Sequence, residues 1–223
     1  MFDYKGLKGN FKFLIHEIRT QVELSFNALN QWSAQIEEKA KQRDDYIDSL
    51  KAVIKKKSYT QISKAGPDEK RHVVAMMSMN AITDNLEKIG DFCVHIIDQI
   101  HYLSNPDFFK RFDFKAYYDE IFEALDLIED GLFNADVKYA IKICRTEYRI
   151  DELYKIDFDQ IRAELKESSE TDNLLTSMFI LRYLERIGDS LLNIGEALIS
   201  FVIGNKMRLH QYIALKESLD IDD

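Results

Sequence analysis

An all-α protein built as two tandem three-helix bundles is what the 223-residue sequence predicts. Three observations carry that expectation. Apolar residues recur with a period near 3.6 along almost the whole chain. Only 2 prolines and 8 glycines occur, whereas charged residues make up 31% of the chain; long helices with solvated faces suit that composition, and an all-β fold would lack turns. The chain also repeats itself. "NLEKIGDFCVHIIDQI" at Asn85–Ile100 aligns with "YLERIGDSLLNIGEAL" at Tyr183–Leu198 at an offset of 98, and "DDYIDSL" at Asp44–Leu50 aligns with "EYRIDEL" at Glu147–Leu153 at an offset of 103.

Six main helices follow in order. The first is expected over 9–31 and the second over 34–59. "KAGPDEK" opens the third, 67–104, with Pro67 near the first helical position and Asp68 and Glu69 in the first turn. "SNPDFFKRFDFKAY" interrupts the period and is the connector between halves, its phenylalanines packing down rather than dangling. The fourth helix is expected over 115–133 and the fifth over 136–167. Ser and Thr in "ESSETDN" offer caps for the sixth, 171–204. The repeats are therefore expected to span 1–108 and 109–223.

Charge and hydropathy exclude several functions. A formal net charge of −9 opposes general nucleic-acid binding, which needs a basic surface. The basic run "KAVIKKK", Lys51–Lys57, reads as one end of a solvated helix. No 18 consecutive apolar residues occur, so no membrane-spanning helix is expected. The N-terminal segment lacks the pattern of a secretory signal, and a cytoplasmic location is the default expectation. Cys93 and Cys144 sit among apolar neighbours and read as reduced core residues.

The acids carry the chemistry. On a helical wheel Leu184, Ile187, Leu191, Ile194 and Leu198 form one apolar face that includes Gly188 and Gly195. Glu185, Asp189, Asn193 and Glu196 run along its shoulder, with Arg186 and Ser190 farther round. The first repeat places Glu87, Asp91, His95 and Asp98 on the same stripe, extended backward by Asp84 and Asn80. In the second helices Asp44 and Asp48 are four apart, as are Glu147 and Asp151. If the second and third helices of each half are antiparallel neighbours, four carboxylates converge per half. Left uncompensated, they would raise one another's pKa and oppose folding.

Lys88 and Arg186 point elsewhere on their wheels. A hard cation would resolve the repulsion, since oxygen-rich sites suit Mg, Ca, Mn or Fe, and His95 could add a nitrogen. A single ExxxD usually marks a solvated face or an i,i+4 ion pair; four at matching places in a duplicated chain point to metal. The second half is the weaker candidate, because Arg182 lies three residues before Glu185. Gly90 and Gly188, costly in a helix interior, are expected to admit a close neighbour.

These strings, "LEKIGDFCVHI" and "LERIGDSLLNI" with the upstream "DDYID" and "EYRIDEL", resemble the PhoU family of phosphate-signalling proteins over almost the entire chain. The resemblance implies two three-helix bundles with E(D)xxxD motifs on paired helices, which in some members hold multinuclear iron or other metal clusters. Carried over residue by residue, the motif gives Asp44, Asp48, Glu87 and Asp91, then Glu147, Asp151, Glu185 and Asp189. The chain departs from the pattern at His95, where Asn is usual, as at Asn193.

Iron is the metal the resemblance favours, with Mg, Mn, Ca or Zn as alternatives. It further implies a non-enzymatic cytoplasmic negative regulator, often dimeric, that couples a phosphate ABC transporter ATPase to a sensor histidine kinase and reaches the membrane through protein partners. An accessory protein of another phosphate or ion transporter is a second reading. A ferritin-like di-iron oxidase is a third, disfavoured because that class needs a Glu-x-x-His pair on each of two helices. Only Glu69–His72 fits, in a first turn where a glutamate already favours the helix dipole.

Overall fold

The computed structural model describes residues 5–218, and all regular structure among them is helical. The helices are α1 (Lys5–Asn30), α2 (Ala34–Lys64), α3 (Lys70–Ile100), α4 (Phe114–Asn134), α5 (Val137–Glu164), α6 (Thr171–Ile203) and α7 (Leu209–Ser218). A 3-10 turn, Pro106–Arg111, joins α3 to α4. The all-α two-bundle expectation is met: α1–α3 form one bundle, α4–α6 the other, and α3 against α6 is the main joint between them.

Polar contacts set the directions of packing. Arg71 donates to the Val202 carbonyl (3.0 Å), and the Ser104 amide donates to Asn173 Oδ1 (3.0 Å), so α3 and α6 run antiparallel. A second seam joins α1 to α4 through the ion pairs Lys12–Glu129 and Arg19–Asp126. Beneath it the fully buried Tyr118 hydroxyl bonds Ser25 Oγ (2.9 Å). The apolar faces foreseen for α3 and α6 form the core, with Leu86, Ile89, Ile187 and Leu191 at 0% exposure. Each such side chain contributes about 1.5–3 kcal/mol relative to exposure.

The glycines sit at close approaches. A Cβ on Gly90 would lie 3.4 Å from Ile47 Cδ1, and one on Gly188 would lie 3.1 Å from Ile150 Cγ2. Ile47 and Ile150 correspond at the offset of 103, so this contact is itself duplicated. Gly195 is tighter and has no glycine counterpart: the equivalent position in α3 is Ile97. A Cβ there would overlap Cys144 Sγ and stand 2.9 Å from the Ala140 carbonyl oxygen.

Several local expectations change. Pro67 and Asp68 form a turn and α3 begins at Lys70, because Glu69 folds back to accept the Gly66 N–H (2.8 Å). The caps expected from "ESSETDN" do not form on α6. Ser168 instead accepts the Glu170 N–H (3.0 Å), and Glu170, without a side-chain cap, stands at the N-cap. Ser33 does cap α2, accepting from the Ile36 amide (3.3 Å). Ser190, placed off the core face by the wheel, is 3% exposed because α6 is covered by both α3 and α5. The α7 helix was not foreseen. Phe108, Phe109, Phe112 and Phe114 of the connector are buried.

Candidate functional site

The four first-repeat carboxylates come from two antiparallel helices. Asp44 and Asp48 project from α2, Glu87 and Asp91 from α3; Asp44 senses the charges of Asp48 and Glu87, and Asp91 those of the other three. Asp44 and Asp91 are partly buried while Asp48 is exposed. Desolvation, then the charges of Asp48 and Glu87, raise the Asp44 carboxyl, and its Oδ1 is buried without a hydrogen-bond partner. Desolvation, then Glu87, Asp44 and Asp48, push Asp91 up to about 6. His95 is exposed, its ring stacked 5.2 Å from that of Tyr183 on α6.

The sequence reading missed the counter-ions. Lys51 pairs with Glu87 and approaches Asp48 (3.8 Å), while Lys55 holds Asp84 (2.7 Å). Asp98, at the far end of the stripe, faces Lys41 (3.6 Å). The signal was available: Asp44, Asp48, Lys51 and Lys55 are spaced four, three and four, which is one continuous stripe of α2. The basic run at Lys51–Lys57 therefore faces inward in part, toward α3 and, through Lys57, toward Asn10 (2.8 Å).

The second repeat places Glu147 and Asp151 of α5 beside Glu185 and Asp189 of α6. Its compensation is rearranged. Positions equivalent to Lys51 and Lys55 are Tyr154 and Phe158, whose rings touch at 5.8 Å. The cations are instead Arg182, bonded to Glu185 (2.7 Å), and Lys155, bonded to Asp151 (2.6 Å). Arg182 thus occupies the place of Asp84, so one positive charge has moved to the opposite helix while Lys155 stays on α5. Glu147 and Glu185 are still raised, by desolvation first and like charge next, and Glu185 Oε2 is a buried acceptor without a donor.

In donor chemistry both sets suit a hard cation: neighbouring carboxylates, one orphaned oxygen in each set, at Asp44 and at Glu185, and raised pKa at Asp44, Asp91, Glu147 and Glu185. Among the described residues, however, no three His, Cys, Asp or Glu side chains already stand as a ready-made metal site. In the first repeat the single lysine shared by Glu87 and Asp48 would have to turn away. In the second, two cations would.

The Asp91 shift has a testable consequence. Its folded value, about 6, exceeds its ordinary 3.8, so the folded protein binds the extra proton between those pH values. This carboxyl therefore opposes stability above the window and is neutral below it. Asp91→Asn is expected to stabilise chelator-treated protein at pH 7.5 by about 1 kcal/mol, a figure reduced for the half-exposed carboxyl. That corresponds to a rise of roughly 2–4 °C in melting temperature. The gain should vanish near pH 4, which melting curves at both pH values would check.

Comparison with known proteins agrees with the duplicated architecture. The PhoU domain profile matches residues 13–100 and again 116–198. The chain is 27% identical over 173 residues to the phosphate-specific transport system accessory protein PhoU homolog of Clostridium acetobutylicum, covering 75% of this chain and 78% of that one. It is 24% identical to the PhoU accessory protein of Serratia marcescens, covering 98% and 95%. Among solved structures, PhoU from Pseudomonas aeruginosa superposes with a TM-score of 0.80 at 19% identity, covering 90% of this chain and 97% of that one, a likeness of fold.

Proposed function

The chain belongs to the PhoU family, and from that premise we propose that it is a metal-binding, non-enzymatic regulator of phosphate uptake. It acts as an accessory protein of a phosphate-specific transport system, the role for which its relatives are named. The finer reading is a negative regulator that engages the transporter ATPase and a sensor histidine kinase, as a homodimer peripheral to the membrane. No helix among the described residues is long and apolar enough to cross a membrane, so contact with a transporter would run through protein faces.

The observation that carries the metal reading is the recurrence of a four-carboxylate cluster at equivalent places in both repeats. Asp44, Asp48, Glu87 and Asp91, with His95 beside them, would hold the first ion or cluster. Glu147, Asp151, Glu185 and Asp189 would hold the second. The metal would neutralise repulsion that Lys51 relieves only for Glu87 and, at longer range, Asp48. Iron, manganese, magnesium, calcium and zinc all accept such oxygen donors.

Elemental analysis of gently purified protein tests this directly. Wild type should carry metal, and Asp44→Asn/Glu87→Gln/Asp91→Asn should lose most of the first repeat's share while remaining folded. Equal metal content in the two proteins would refute the first site. Co-purification of the transporter ATPase with wild type tests the adaptor role separately.

A further inference from the structure

We propose that a cleft at the α3–α6 joint is a binding site for a nucleoside phosphate whose base carries an exocyclic amine. The cleft has a volume of about 480 Å³, within the range of small-ligand pockets. It shares no residue with the carboxylate clusters, so the proposal stands independently of the metal reading.

The duplication explains why a hollow exists there. At the offset of 98, Ala81 and Asn85 of α3 correspond to Phe179 and Tyr183 of α6. Around the joint's pseudo-twofold, Tyr183 covers the mirror position by stacking on His95 (5.2 Å) and Phe92 (6.1 Å). Where the Tyr183 ring fills one side, Asn85 lines the other, with Ala81 one turn away. A ring in place of Asn85 would take up part of that space.

The walls sort by chemistry. Val74, Met77, Ala81, Ala197 and Met207 offer an apolar surface for a flat ring. Deeper in the wall are acceptors. Asn85 is 9% exposed; its Nδ2 donates to the Ala81 carbonyl (2.8 Å), which leaves its Oδ1 buried without a partner. Glu196 lies on the facing helix, one oxygen accepting the Leu209 N–H (3.2 Å). Lacking a donor, the Asn85 oxygen costs about 1–3 kcal/mol; it is closed off beneath the cleft surface, so a ligand N–H would meet it once the amide turns toward the cleft.

At the rim stand Lys88, Lys206 and Arg208, all exposed and, among the described residues, none in an ion pair with a carboxylate. Three uncompensated cations around one opening are notable in a chain of net charge −9. Interior acceptors select an amine-bearing base, the apolar walls its faces, and the rim its phosphate. The rim is also preformed: Met207 N–H donates to Ser200 Oγ (3.0 Å), and Arg71 holds the Val202 carbonyl (3.0 Å).

Because the site spans both bundles, occupancy would tie their relative placement to a nucleotide signal. Titration calorimetry with AMP, adenosine and inorganic phosphate tests the assignment on the full chain. AMP is expected to bind at least tenfold more tightly than either fragment. Ala81→Phe/Asn85→Tyr installs the residues of the filled side and should abolish binding. Lys206→Glu/Arg208→Glu, at exposed positions that leave the fold intact, should weaken AMP at least tenfold with little effect on adenosine. Absence of AMP binding to wild type, AMP binding unchanged in the charge variant, or phosphate binding as tight as AMP would each overturn the proposal.

Discussion

Gly195→Ala is expected to destabilise the protein by about 2 kcal/mol, a fall of roughly 4–8 °C in melting temperature, although alanine is the better helix former. The propensity gain of about 1 kcal/mol is outweighed by overlap with Cys144 Sγ and by the Ala140 carbonyl oxygen 2.9 Å away. That oxygen belongs to the α5 backbone, as does the Cys144 amide nitrogen at 3.2 Å, so relief requires the two helices to separate. Cys144→Ala should rescue the variant only in part, since the carbonyl remains. The contrast is Gly90→Ala, where the nearest atoms are the far ends of Ile18 (3.3 Å) and Ile47 (3.4 Å). Those side chains can shift, and stability should change by less than about 1 kcal/mol. A Gly195→Ala protein that melts at or above wild type would mean that α5 and α6 are not so closely docked.

Removing the ring at Tyr118 should cost more. Tyr118 lies on α4, is 1% exposed, packs 4.8 Å from the Phe26 ring of α1 and reaches Ser25 with its hydroxyl (2.9 Å). Tyr118→Ala is expected to cost about 4 kcal/mol through lost burial and a cavity between the halves. Tyr118→Phe should cost about 1 kcal/mol, the net worth of one buried hydrogen bond. Because the cavity opens at the seam, both halves should weaken together. The protein's one tryptophan, Trp32, lies at the end of α1 against His101 (4.6 Å) and reports on the first half. Its fluorescence and the far-UV circular dichroism should show one midpoint, lowered equally in Tyr118→Ala. Midpoints that separate would show two halves unfolding independently.

The carboxylate clusters were legible in the sequence, because residues four apart on a helix must share a face whatever surrounds them. Their counter-ions were only half legible. Arg182 was visible as a neighbour of Glu185 within one helix, and that pair forms at 2.7 Å. Lys51 reaches Glu87 across two helices, a partnership set by the antiparallel register of α2 and α3. Lys155 lies four residues after Asp151 and pairs with it by ordinary helical spacing.

By itself, then, the sequence determined an all-α chain, its duplication, the apolar face of each long helix and the four ExxxD-type pairs. These are properties of helical period and of repetition, both local to the chain or found by comparing it with itself. Tertiary structure decided which cation meets which acid, how near Gly195 lies to α5, and that Asn85 leaves open what Tyr183 closes. Each depends on the register and separation of helices distant in sequence. Those are set by the whole packed core, not by any one segment.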